Sequence, residues 1–100
     1  MNIGVIGGGV GGLAVSIALA NVGFKVTIFE RLGCKVNSGA GIQISSNGVK
    51  VLRYLGIEKQ IEKVSCQSEN IKIKNGRTGR QIAKIPLGRQ AEKRYGSKFF

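Results

Sequence analysis

The chain has 100 residues, 16 Lys+Arg against 5 Asp+Glu for a formal charge of +11, and 42% hydrophobic content. Such a chain is globular rather than disordered and amounts to one small domain at most. Two cysteines and no histidine exclude a disulfide framework, a Cys/His zinc site and every mechanism built on a histidine base; no metal ligand set is expected.

Asn2-Ile-Gly-Val-Ile6 is a short apolar run that predicts a buried strand. Gly7-Gly-Gly-Val-Gly-Gly12 follows at once, and Leu13, Ile17 and Ala20 then keep helical spacing to about Asn21. Gly23 is placed to stop that helix in a left-handed conformation. Lys25-Val-Thr-Ile-Phe-Glu30 is β-branched and aromatic and predicts a second strand. A strand, helix and strand in 30 residues form a crossover, which makes the two strands parallel. The apolar stretch from Val5 to Val22 contains five glycines, so it reads as strand, turn and helix, neither a membrane span nor a signal peptide. A cytoplasmic, reducing location is expected, with Cys34 and Cys66 as free thiols.

Residues 31–41 read as a loop. Ser45 and Ser46 are N-cap candidates for a helix running to about Leu55, with Val49, Leu52 and Leu55 on its apolar face and Gly56 at its end. A further short helix is expected over 57–64. Asn70-Ile-Lys-Ile-Lys74 and Gln81-Ile-Ala-Lys-Ile85 alternate with period two around an Asn75-Gly76…Thr78-Gly79 turn, which predicts a β-hairpin ended by Pro86. Residues 88–98 read as a polar, basic tail, and Phe99 and Phe100 as an exposed apolar end. The organisation is therefore a βαβ unit at 1–30, a loop with helices at 31–65, and a hairpin with a tail at 66–100. Two parallel strands cannot cover their own edges and faces, and loss of order is expected beyond about residue 65.

Charge is uneven. Residues 1–49 hold Lys25, Arg31 and Lys35 against Glu30, so the other thirteen basic residues lie at 50–100. They are scattered with few aromatics among them, which reads as composition bias rather than a nucleic-acid surface.

The chemistry lies in Gly7, Gly9 and Gly12, which form G-x-G-x-x-G directly after a strand and at the opening of a helix. In this setting the pattern is a dinucleotide-binding fingerprint. Gly7 permits the sharp turn out of the strand, Gly9 lets a pyrophosphate approach the backbone, and Gly12 lets the helix pack on the strand. The helix N-terminus offers unpaired N–H groups and a positive dipole end. Glu30, 18 residues beyond Gly12, can accept from both adenosine ribose hydroxyls and would repel a 2′-phosphate.

The segments Gly7–Leu13, Phe29-Glu-Arg31, Gly39-Ala-Gly-Ile-Gln-Ile-Ser45, Asn47–Lys50 and Leu55-Gly-Ile57 resemble the class A flavoprotein aromatic hydroxylases, closest to salicylate hydroxylase and FAD-dependent urate hydroxylase. The resemblance is dense over 1–57 and looser beyond. It implies an α/β fold, the N-terminal βαβ of a Rossmann-like, glutathione reductase-type FAD-binding domain, with a β-hairpin and an incomplete sheet. It implies FAD as cofactor, NAD(P)H as transient electron donor, and a small aromatic substrate. On it Gly11 lies at the pyrophosphate, Glu30 and Arg31 at the adenosine ribose, and Gln43 on the cofactor. Ser46 stands where the family usually has proline, and Ser16 where it usually has alanine or glycine. The family's flavin-contacting arginine and its later Asp-Gly and Gly-Asp motifs have no counterpart in these 100 residues, so no catalytic residue is named and this stretch by itself is expected to be inactive. The alternatives are a non-catalytic dinucleotide-binding module, an NAD-binding piece of another oxidoreductase, and a basic nucleic-acid binder.

Overall fold

The computed structural model describes residues 1–33 and 41–100. They divide into two units, 1–41 and 42–100.

The first unit is built from β1 (Asn2–Ile6), α1 (Val10–Asn21) and β2 (Lys25–Phe29). The two strands pair in parallel, with Ile3 opposite Val26 and Val5 opposite Ile28. The alternation of a strand puts those four side chains on one face, and all are half-buried. On the other face Gly4 lies under the Phe29 ring, close enough that a β-carbon there would sit 3.2 Å from Cε2. Gly23 has φ +96° and turns the chain out of α1, as the sequence predicts.

In the second unit α2 (Ser46–Tyr54) and α3 (Glu58–Val64) precede the antiparallel hairpin of β3 (Asn70–Lys74) and β4 (Gln81–Pro86). The hairpin has Ile71 opposite Ile85 and Ile73 opposite Ala83, with a bulge between Ile73 and Lys74. Its turn is held by Asn75, whose side-chain oxygen accepts from the Arg77 and Thr78 N–H groups at 2.8 and 3.1 Å. Such an Asx turn is what an asparagine in this position supplies.

Two expectations are corrected here. Residues 88–98 are not an unstructured tail, because Arg89–Tyr95 forms α4 and Gly96, at φ +77°, ends it. Beyond residue 65 the chain forms β3, β4 and α4, and Phe100 is buried rather than exposed. Phe100 exchanges two backbone hydrogen bonds with Ile44, at 2.7 and 2.9 Å. Among the described residues the buried apolar side chains, Val49, Leu55, Leu87, Ala91 and Phe100, all belong to this second unit.

Ser46 does more than replace a helix-starting proline. Its buried hydroxyl donates to the Ser97 carbonyl at 2.7 Å, a bond 51 residues apart in sequence. Ser45 occupies the N-cap position by its extended backbone but makes no side-chain cap bond; its hydroxyl donates to Asn47 Oδ1 instead. Among the described residues, no helix is long and apolar enough to cross a membrane. Cys66 is exposed with a free thiol; Cys34 lies outside the described residues.

Candidate functional site

The glycine run leaves the carboxyl end of β1 and enters α1 within three residues. Gly7 takes φ +99°, a left-handed conformation that costs other residues a steric clash, and its N–H donates to the Phe29 carbonyl at 2.8 Å. That bond fixes the turn to the end of β2. Gly12 faces the turn from the helix: a β-carbon there would lie 1.9 Å from the Gly7 carbonyl oxygen. Helix and strand meet backbone to backbone, and no side chain fits between them. This is the close packing that the fingerprint's last glycine predicts.

Gly9 is the N-cap of α1, with extended backbone. Added β-carbons at Gly9 and Gly11 would meet nothing within 4 Å, so the loop is open where a ligand would approach. The first turn of a helix has no intrahelical acceptors for its N–H groups. Among the described residues no backbone acceptor takes those of Val10, Gly11 and Gly12 either. No acidic side chain occupies that turn, so its dipole is not already neutralised. Ser16 is buried and donates to the Gly12 carbonyl at 2.7 Å, which shows why a small hydroxyl is tolerated in this helix.

Glu30 follows β2 directly, beside the loop. One carboxylate oxygen accepts from the Gly8 N–H, and the other accepts from the Leu32 N–H at 3.0 Å. These backbone donors, Leu32 first and then Gly8, stabilise the charged form and hold the carboxyl below its ordinary range. A carboxylate has about four lone-pair sites, so two remain for hydroxyl donors. The sequence names Glu30 as a ribose acceptor but does not name Gly8 or Leu32. The one signal available was that Gly8 is glycine at a position the fingerprint leaves free.

The remaining nominated residues are placed less fully. Arg31 is exposed on the bend after β2, and it has no ion pair among the described residues. Gln43 is exposed on the extended segment before α2 and belongs to the second unit. Gly39 and Ala40, which open the Gly39–Ser45 segment, lie outside the described residues. The glycines and Glu30 are thus brought together in one unit.

The second unit has its own concavity of about 740 Å³. Asn47, Lys50, Leu87, Arg94, Tyr95 and Phe99 are among the residues that line it, and none of the nominated residues does. Tyr95 packs edge-on against Phe99 with ring centroids 6.3 Å apart, and the Arg94 guanidinium lies 5.4 Å from the Tyr95 ring centre. These contacts give Tyr95 a packing role.

An open helix N-terminus at the carboxyl ends of two parallel strands, with an acid at the end of the second, defines a nucleotide-binding βαβ unit. The family model for the FAD binding domain matches residues 1–96, and the chain belongs to that family. It is 37% identical over its full length to a 3-amino-4-hydroxybenzoate 2-monooxygenase of Streptomyces cremeus, of which it covers 25%. It is 32% identical over 87 residues, 87% of the chain, to an FAD-dependent urate hydroxylase of Mycolicibacterium vanbaalenii, of which it covers 22%. Among solved structures, a Klebsiella pneumoniae HpxO variant complexed with FAD is similar over 99% of this chain and 25% of that one, with TM-score 0.83 and 28% identity. The same enzyme complexed with FAD and uric acid gives TM-score 0.77 and 26% identity, over 99% of this chain and 24% of that one. The chain spans about a quarter of the length of these relatives.

Proposed function

We propose that the chain cradles the adenosine diphosphate half of FAD in a monooxygenase that hydroxylates an aromatic or heteroaromatic ring with NAD(P)H and oxygen. The observation that carries this reading is the open first turn of α1 beside an acid already fixed in place. The N–H groups of Val10, Gly11 and Gly12 take the diphosphate, and the bare surfaces of Gly7 and Gly9 let it approach. Glu30 accepts the two ribose hydroxyls on the lone pairs that Gly8 and Leu32 leave free. Arg31 lies beside the ribose, and Gln43 contacts the cofactor with one donor and one acceptor. The bound flavin would supply the electron-transfer and oxygen-transfer chemistry. This chain's part is to bind and orient it, and no residue described is assigned to the reacting atoms. A cytoplasmic location with reduced cysteines belongs to the same reading.

The test is calorimetric titration of the chain with FAD, ADP, NAD⁺ and 2′-phospho-ADP. FAD and ADP are expected to bind, and the 2′-phosphate to weaken ADP binding about tenfold or more through repulsion by Glu30. Failure of both FAD and ADP to bind, in a chain whose amides show it folded, would overturn the assignment.

A further inference from the structure

We propose that Gly8 is a positioning residue of this nucleotide site: its missing side chain keeps open the space in which the Glu30 carboxylate is set for the ribose. The inference rests on the reading above and deepens it. The fingerprint constrains the positions of Gly7, Gly9 and Gly12 and leaves the one between Gly7 and Gly9 free. Gly8 does not have a positive φ, so its backbone does not require glycine. Its neighbour does. A β-carbon at Gly8 would lie 2.9 Å from Glu30 Oε2 and 3.2 Å from both Glu30 Cβ and Cγ. Gly9 and Gly11 meet nothing, and Gly12 meets backbone. Gly8 alone in the loop is confined by the acid.

The consequence differs from that of a packing glycine. A methyl group at Gly8 presses hardest on the carboxylate end of the Glu30 side chain, while Cβ and Cγ at 3.2 Å need give by only a few tenths of an ångström, so the chain can yield without unfolding. What yields is the carboxylate, which leaves the Gly8 and Leu32 N–H groups. Freed of those two donors, it no longer presents its remaining lone pairs in a fixed direction, and the pair of ribose hydroxyls loses a preset acceptor. Gly8 thereby acts on the ligand through Glu30 and touches the ribose with nothing of its own.

The experiment compares the full chain with Gly8→Ala, Glu30→Ala, the double variant and Glu30→Gln, titrating each with ADP and with 2′-deoxy-ADP. Gly8→Ala is expected to lose about tenfold in ADP affinity and to stop discriminating between the two nucleotides. In the Glu30→Ala background, adding Gly8→Ala is expected to cost less than about twofold more, since coupled residues are non-additive. Glu30→Gln leaves Gly8 untouched and is expected to lose the same discrimination. A second readout needs no ligand. In the Gly8→Ala chain the Glu30 carboxyl, followed by NMR, is expected to return toward its ordinary pKa, and the Leu32 amide to stop following it. An unchanged Glu30 titration overturns the proposal even if no nucleotide binds, and so does a Gly8→Ala penalty that persists in full without Glu30. A chain that binds no ADP but shows the Glu30 shift in Gly8→Ala would overturn the nucleotide reading and leave the positioning of Glu30 standing.

Discussion

The two units solve different problems. In residues 42–100 five apolar side chains are buried, and the chain closes on itself through the Ile44–Phe100 pairing. In the first unit the only buried side chain among the described residues is that of Ser16, while Ile6, Val10 and Phe29 are 91, 74 and 61% exposed. Yet the first unit holds the fingerprint. Its geometry is set by backbone meeting backbone, Gly7 on the Phe29 carbonyl and Gly12 on the Gly7 carbonyl, rather than by a packed interior. A nucleotide-binding loop can therefore be specified by short-range contacts whose register depends on glycine, while burial is concentrated elsewhere.

The sharpest way to break this contrast is Gly12→Ala. The clash is with backbone and cannot be relieved by a side chain, so α1 must leave β1. Nucleotide binding should vanish, and amide protection in α1 should collapse while that in α2 and α4 persists. Loss of protection in all of them would show that the units fold as one. Phe100→Ala tests the other side. Removing a buried aromatic should cost about 3 kcal/mol, read as a lower denaturant midpoint for α2 and α4, with the glycine loop's amide shifts unchanged. Ser46→Ala removes the donor to the buried Ser97 carbonyl and should cost about 1–2 kcal/mol in the same assay.

Acid gives a smaller and more local effect. The Glu30 carboxyl is depressed in the folded chain, so its contribution is complete above the unfolded value of 4.5 and is lost as pH falls through the lower folded value. The Gly8 and Leu32 amide resonances should titrate together, below the range of an unperturbed glutamate. The smallest effect is expected for Arg53→Ala. That side chain pairs with Glu58 at 2.7 Å on the exposed surface, and the variant's melting curve should overlay the parent's, as exposed ion pairs contribute little.

Much of this architecture was legible. Each of β1, β2, β3 and β4 has a β-branched run bounded by glycine, asparagine or proline, and local pattern suffices for such elements. The α4 helix was not, because Arg89-Gln-Ala-Glu-Lys-Arg-Tyr95 carries a single buried apolar residue, Ala91, and no hydrophobic period can be read from one position. Its signal was of another kind: good helix formers between Gly88 and Gly96, the latter in a left-handed stop. The burial of Phe100 depends on a partner 56 residues away, which no local window contains. At the site, the glycines and Glu30 were legible by type and spacing. Which atoms Glu30 engages was not, because the Gly8 and Leu32 donors are backbone groups that every residue carries.

The Ile44–Phe100 pairing also sets an order of events during synthesis. Every contact of the βαβ unit is available once about thirty residues have emerged. The Ile44–Phe100 pairing cannot form until the hundredth residue is translated, and at roughly 5–20 residues per second that interval lasts several seconds. During it the nucleotide loop can already be formed on the ribosome while the core-bearing half waits. A nucleotide could thus meet the glycine loop before the buried side chains of residues 42–100 have packed.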